Sequence, residues 1–226
     1  MQTQCNPRFR KPLGDAHKSW RSLLCAAGFV LFAWESPVSA QAKPTREGGW
    51  LSLGVGYGSA RVSCDTCQTG RHTDGLDVLL AIGGTPSPHW CAGAMLEVWE
   101  HWFPGGDTLK EMTNGTISAY YYPWVRAGLF LEGGLGLADF RMLKGLHEGI
   151  LFENADRIFV KGFGWSATGA IGYDLHLSHH YVLKPRVAYT HGGIGTLHTP
   201  AGTPAARRWN QNVLSVGLGL SLVEGS

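Results

Sequence analysis

The chain has 226 residues, enough for one domain and too few for two generous ones, and 32 of them are glycine. No Gly-X-Y period and no proline-rich tract is present, so collagen-like and linker readings fail. The formal net charge is +2, but residues 43–226 carry 14 Lys+Arg and 15 Asp+Glu, a net of −1, which leaves no basic surface for nucleic acid.

The first 42 residues read as a cleavable signal peptide. Arg8, Arg10, Lys11, Lys18 and Arg21 form a basic leader, followed by the apolar run LLCAAGFVLFAW at 23–34. Val38, Ala40 and Ala42 give the small-residue spacing of a cleavage site, after Ala40 or Ala42. A bilayer-spanning helix needs about 20 apolar residues, so this run is too short. The remainder, 43–226, is expected to fold after export as one domain.

That remainder shows period-two alternation in place of helical periodicity. Leu51, Leu53, Val55 and Tyr57 alternate with Ser52, Gly54 and Gly56. Leu76, Val78, Leu80 and Ile82 oppose Asp77 and Ala81. Trp90, Ala92, Ala94, Leu96, Val98 and Trp102 oppose Cys91, Gly93, Met95 and Glu97, and a weaker run carries Ile117, Ala119 and Tyr121 on one face. In LFLEGGLGLADF (129–140), Leu129, Leu131, Leu135 and Leu137 oppose Phe130, Glu132, Gly134 and Gly136. Phe163, Trp165, Ala167, Ile171, Tyr173 and Leu175 oppose Ser166, Thr168, Gly172 and Asp174. Leu183, Val187 and Tyr189 oppose Lys184 and Arg186, and the leucines and valine from Leu214 to Leu222 oppose Ser215, Gly217, Gly219 and Ser221. The pattern predicts eight strands near 49–60, 74–84, 90–102, 113–122, 126–139, 161–175, 181–191 and 211–222.

The links between them alternate in length. Short ones fall at 85–89, 123–125 and 178–180, and long ones at 61–73, 103–112, 140–160 and 192–210. Short turns at one end and four long external loops at the other are the layout of an outer-membrane barrel. The faces agree: one is apolar and suits lipid, while the other carries Gly, Ser, Thr and charges and suits a narrow lumen. Trp50, Trp90, Trp102, Tyr121, Trp124, Phe140, Tyr181, Tyr189 and Trp209 near strand ends are expected to form interfacial girdles.

The signal-like leader, the eight strands, and the segments YYYPWVRAGLFLEGGLGLADFR and GFGWSATGAIGYDL resemble small bacterial outer-membrane β-barrel proteins of the OmpA/OmpX-like eight-stranded class. The resemblance covers nearly all of 48–222 and implies an all-β, antiparallel up-and-down transmembrane barrel. It also implies export through the periplasm by the Sec route and residence in the outer membrane as a monomer. The partners it implies are the barrel-assembly machinery, membrane lipid and lipopolysaccharide. One departure is the ending SLVEGS, where such barrels usually carry a terminal aromatic residue.

Strand parity turns Asp77, Glu97, Glu132 and Asp174 inward together with Arg126, Lys184 and Arg186. We read these seven as a lumen charge network that plugs the barrel, because buried charges must pair. Glu97 and Glu132 as a general acid/base couple would need a cleft that the sequence does not display. Gly133-Gly134-Leu135-Gly136 does not fit a nucleotide loop: Asp139 stands where the third glycine belongs, and no helix follows. Cys64-Asp-Thr-Cys67 lacks the second ligand pair of a zinc site, and after export it is expected to be a loop disulfide, leaving Cys91 in a strand. His176, His179 and His180 near a turn read as interface residues. No cofactor or metal is expected.

The function expected is a structural or surface-interaction role with four external loops. Two other readings stand beside it. His191 at the outer end of its strand could serve a lipid A-modifying enzyme, and a soluble lipid-binding barrel would place the apolar face inside.

Overall fold

The computed structural model describes residues 48–67, 72–103, 108–144 and 158–224. The segment read as a signal peptide lies outside these described residues.

Nine strand segments make a single sheet: β1 (Gly49–Ser63), β2 (His72–Ser87), β3 (Trp90–Trp102), β4 (Thr108–Tyr121), β5 (Leu129–Lys144), β6 (Ile158–Tyr173), β7 (Leu175–His176), β8 (Tyr181–His198) and β9 (Pro204–Val223). The two-residue β7 continues β6 after a one-residue break at Asp174, and both pair with β8. All neighbours are antiparallel, β9 pairs with β1, and the sheet closes as an eight-stranded barrel. Closure gives every strand two neighbours and removes the exposed edge.

The register fixes the barrel's tilt. Following cross-strand partners from Gly49 leads through Gly84, Ala92, Ala119, Gly133, Gly169, Tyr189 and Leu214. The circuit then returns to β1 at Ser59, ten residues beyond its start. A stagger of that size tilts the strands by about 35–45°.

The alternation sorts side chains as the sequence requires. Outward leucines, valines and isoleucines stay exposed, up to 70% at Leu135 and 71% at Ile117. From the tight-turn end, the first outward charges are Arg61 on β1, Asp74 on β2, Glu100 on β3, Glu111 on β4, Asp139 on β5 and Lys161 on β6. On β8 the first outward ionisable group is His191, and on β9 the first charge is Arg208. With a ten-residue stagger, these positions fall on one ring around the wall. Below the ring the outer surface is uncharged on every strand.

Inside, two clusters of buried apolar residues flank a polar layer. The lower one joins Trp50, Tyr120, Tyr122 and Phe130 with Cys91 and Met95. The upper one joins Trp99, Met112, Phe140, Ile194, Leu197 and Trp209. Trp50, Phe140 and Trp209 therefore belong to the interior and not to the girdles, because parity on their strands points them inward. Trp90, Trp102, Tyr121, Trp124, Tyr181 and Tyr189 do face out.

The strands outrun the sequence expectation at the end opposite the tight turns. β1 extends to Ser63, β4 begins at Thr108, β5 reaches Lys144, and β8 and β9 are joined by only 199–203. Residues 108–112 and most of 192–210 are thus paired strand. Above the ring of charges the outward face turns mixed, with Ser63, His72 and Arg141 as well as Trp102, so the clean hydrophobic alternation stops while the backbone ladder continues. The short link near 123–125 is conversely the turn 122–128, closed by Gly128 at φ 71°. A Cβ there would lie 2.6 Å from the Asp174 carbonyl oxygen, while the Asp174 amide donates to the Gly128 carbonyl at 2.9 Å.

Candidate functional site in the barrel lumen

The polar layer is built from inward positions on β2, β3, β5, β8 and β9. On β5, Glu132 follows Phe130 on the inner face and meets Arg186 of β8 across the lumen. Arg186 donates from Nε to Glu132 Oε2 at 2.8 Å and from Nη2 to Oε1 at 2.9 Å. Its Nη1 donates to Glu97 Oε1 at 3.3 Å, and Nη2 also lies 3.7 Å from Met95 Sδ. Glu97 accepts further bonds from Thr190 at 3.0 Å and Ser215 at 3.5 Å. Hydroxyls on β8 and β9 thus complete what the guanidinium leaves open, as buried carboxylates require.

A second group lies nearer the tight turns. Asp174 accepts a 3.0 Å bond from the Tyr122 hydroxyl, and Lys184 Nζ stands 3.9 Å from its Oδ1. The same ammonium lies over Trp50, Tyr120 and Phe130, at 5.1, 5.8 and 5.9 Å from the ring centroids. Cation–π attraction there supplements a long ion pair.

Six of the seven residues expected in the lumen thus point into it: Asp77, Glu97, Glu132, Asp174, Lys184 and Arg186. Arg126 does not. It lies exposed in the turn 122–128, because β5 starts at Leu129 and not at 126. Asp77 shares the layer but keeps one oxygen, Oδ1, without a hydrogen-bond partner.

The sequence reading missed Lys110, which it placed in a loop. Lys110 is 8% exposed on the inner face of β4, above the ring of outward charges. Its Nζ lies 5.8 Å from the Trp99 ring and 5.9 Å from that of Phe140, and burial pushes its pKa down to about 8. Extending the alternation of β4 back from Asn114 through Met112 would have found it.

The remaining candidates fall elsewhere. Cys64 and Cys67 form a disulfide at the loop end, packed against the upper cluster, and Cys91 is a buried free thiol. His191 faces outward, bonds Asn212 Oδ1 at 2.7 Å and has its ring 5.1 Å from that of Trp165, so its hydrogen bond goes to an amide and not to a serine. His179 and His180 are exposed beside the β7–β8 turn. Among the described residues no group of three or more His, Cys, Asp or Glu is placed to hold a metal ion.

No protein-family model matches the chain, and no curated protein matches it in sequence. Solved structures do. Neisserial surface protein A is 13% identical over 75% of this chain and 96% of its own, with a TM-score of 0.47. Ail of Yersinia pestis, solved with the heparin analogue sucrose octasulfate, is 12% identical over 77% and 99%, with a TM-score of 0.48. The outer membrane protease OmpT of Escherichia coli is 11% identical over 84% and 100%, with a TM-score of 0.34. The chain is a closed eight-stranded antiparallel barrel that resembles the small bacterial outer-membrane barrels.

Proposed function

We propose that this protein spans the bacterial outer membrane as a monomeric, plugged barrel whose loop end serves a structural or surface-interaction role. The observation that carries the reading is the uncharged apolar outer wall, bounded at one height by Arg61, Asp74, Glu100, Glu111, Asp139 and Lys161. Such a band, about 25 Å tall, is what a bilayer's hydrocarbon core demands of a barrel wall. A soluble lipid-binding barrel needs the opposite polarity, with its charges outside and its apolar residues within.

On this reading the chain is exported, inserted by the barrel-assembly machinery, and surrounded by lipid and lipopolysaccharide. The aromatic clusters around Trp50 and Trp99 close the lumen at both ends, and the Arg186 network fills its middle. Four external loops are left free to meet a surface or a ligand.

Membrane fractionation with heat-modified gel mobility tests the location. A protein in the soluble fraction with no heat shift rejects it. Planar-bilayer recording tests the plug, and a steady nanosiemens conductance rejects that part.

A further inference from the structure

The outer wall divides by charge. Around the barrel β6, β8, β9 and β1 are successive neighbours, and none of the four carries an aspartate or glutamate. Their first outward basic groups are Lys161, His191, Arg208 and Arg61. On β2 to β5 the first outward charges are all acidic: Asp74, Glu100, Glu111 and Asp139. The ring that bounds the apolar band thus has a basic arc and an acidic arc.

Three residues of the basic arc meet on one cross-strand row of the outward face. Asn212 of β9 pairs with His191 of β8 on one side and with Arg61 of β1 on the other. Directly paired side chains stand about 5 Å apart at Cβ. Asn212 Oδ1 accepts from the Tyr189 hydroxyl at 2.8 Å and from His191 Nδ1–H at 2.7 Å. Both lone pairs of that oxygen are used, so the amide is held in one orientation. Its Nδ2 donors have no hydrogen-bond partner among the described residues, and neither has His191 Nε2. The Arg61 guanidinium also lacks one there, and Asp74, diagonal to it across the β1–β2 pair, forms no salt bridge with it. The Trp165 ring, 5.1 Å from that of His191, flanks the group. A fixed set of unspent donors with no carboxylate on its own strands suits an anion.

Resting on the reading of this wall as membrane-spanning, we propose that Arg61, Asn212 and His191 bind the phosphomonoester headgroup of one outer-leaflet lipid. Arg61 supplies charge and a planar pair of donors that matches two phosphate oxygens. Asn212 Nδ2 donates to an oxygen beside them. His191 Nε2 shares one proton with the monoester, whose second ionisation falls at about pH 6. A phosphodiester has a single charge and no such proton. The acyl chains run down the wall over Tyr189, Leu214 and Val216, all of them exposed. A lipid suits the place better than a dissolved anion, because the site stands on the rim of the apolar band. The acidic arc repels the same headgroup, which confines the lipid to one side of the barrel.

The folded protein in nonionic micelles is mixed with dioleoyl phosphatidic acid, dioleoyl phosphatidylglycerol, dioleoyl phosphatidylcholine or inorganic phosphate, and the melting midpoint is read by heat-modified mobility. Phosphatidic acid should raise the midpoint by about 4 °C for each tenfold increase once the site begins to saturate. The other three should leave it near its starting value. Arg61→Gln and Asn212→Asp should each raise the phosphatidic acid needed by about tenfold. The aspartate still accepts from Tyr189 and His191 but removes the Nδ2 donors. Equal midpoints with phosphatidic acid and phosphatidylcholine overturn the proposal, as does an undiminished response in both variants. A matching shift with inorganic phosphate overturns the lipid as occupant, and one with phosphatidylglycerol overturns the monoester. Glu100→Gln, on the acidic arc, should respond as the wild type does; a change as large as that of Arg61→Gln would assign the response to overall charge and overturn the site. Should Asn212→Asp fail to fold, Arg61→Gln alone carries the test. Fractionation decides the membrane reading separately: a barrel found in the membrane that ignores phosphatidic acid loses only this site.

Discussion

Arg186 on β8 holds both carboxylate oxygens of Glu132 on β5, at 2.8 and 2.9 Å, and reaches Glu97 on β3 with its remaining terminal nitrogen at 3.3 Å. One guanidinium therefore ties three strands that are not neighbours in the wall. Its planar fork matches a carboxylate in a way an ammonium cannot. The link is a core interaction in a barrel whose apolar residues mostly point away from the core.

Removing the guanidinium leaves two buried carboxylates facing each other without a counter-ion. Arg186→Met should cost about 3–5 kcal/mol of stability, the usual penalty for breaking one side of a buried pair. Arg186→Met combined with Glu132→Gln should recover much of that loss. Urea unfolding in micelles across the double-mutant cycle measures the coupling, and additive effects of the two substitutions would mean that the bidentate contact contributes little.

Neighbouring residues on β5 should respond in different ways. Leu131 is 47% exposed on the outer wall, while Glu132 is buried in the lumen. Leu131→Arg, opposite Tyr121 near the tight-turn edge of the apolar band, should cost up to about 1 kcal/mol in a bilayer, and less in detergent. The Glu132→Gln penalty should be the same in both media, because the lumen does not see the lipid. Unfolding in vesicles and micelles separates the two. Equal medium dependence at both positions would contradict the facing of the strand.

The facing was legible because a period of two leaves only two choices per strand, and LFLEGGLGL shows which face is apolar. Strand length was not legible beyond the ring of charges. From Asp139 to Lys144 both faces carry polar or mixed residues, yet β5 stays paired with β4 and β6. Backbone hydrogen bonds hold that extension, and they leave no trace in side-chain pattern. Arg126 was misplaced for the complementary reason. The turn 122–128 is defined by the left-handed Gly128 and not by polarity, so the strand seemed to begin three residues early. Trp50, Phe140 and Trp209 looked like girdle residues because an aromatic at a strand end suits either face, and only parity separates them.

The paired glycines of β5 offer a test of the wall itself. A Cβ on Gly136 would lie 1.9 Å from the Gly115 carbonyl oxygen of β4, whereas one on Gly133 would meet nothing within 4 Å. Gly136→Ala must therefore displace backbone and should cost about 1–3 kcal/mol. Gly133→Ala should be neutral or slightly stabilising, since a strand gains from a side chain. Comparable midpoints for the two variants would mean that the close approach of β4 and β5 is not a constraint.

Reduction of the Cys64–Cys67 disulfide should have a smaller effect. The bridge closes a very short loop, with a sequence separation of three. Loop-closure entropy for such a span gives at most about 2 kcal/mol. A Cys64→Ser, Cys67→Ser variant should still fold as a barrel, with its melting midpoint lowered by a few degrees. Failure to show heat-modified mobility would instead make the bridge essential to folding.

Lys110 gives the protein a dependence on alkaline pH that its carboxylates do not supply. Burial lowers its pKa from 10.5 to about 8. The folded chain therefore releases this proton at a lower pH than the unfolded chain does. Below about pH 8 both states carry the charge, and the full cost of burying it falls on the folded state. Between pH 8 and 10.5 the unfolded state binds more proton, so this group makes stability rise with pH until both states are neutral. The displacement corresponds to about 3 kcal/mol. Lys110→Met keeps the bulk between Trp99 and Phe140 and removes the charge, so it should stabilise the barrel by that order at pH 7. The gain should shrink toward zero as the pH approaches 10.5. Urea unfolding of both proteins at a series of pH values gives the difference directly. A gain that stays constant from pH 7 to 10.5 would assign the effect to packing and not to the buried ammonium.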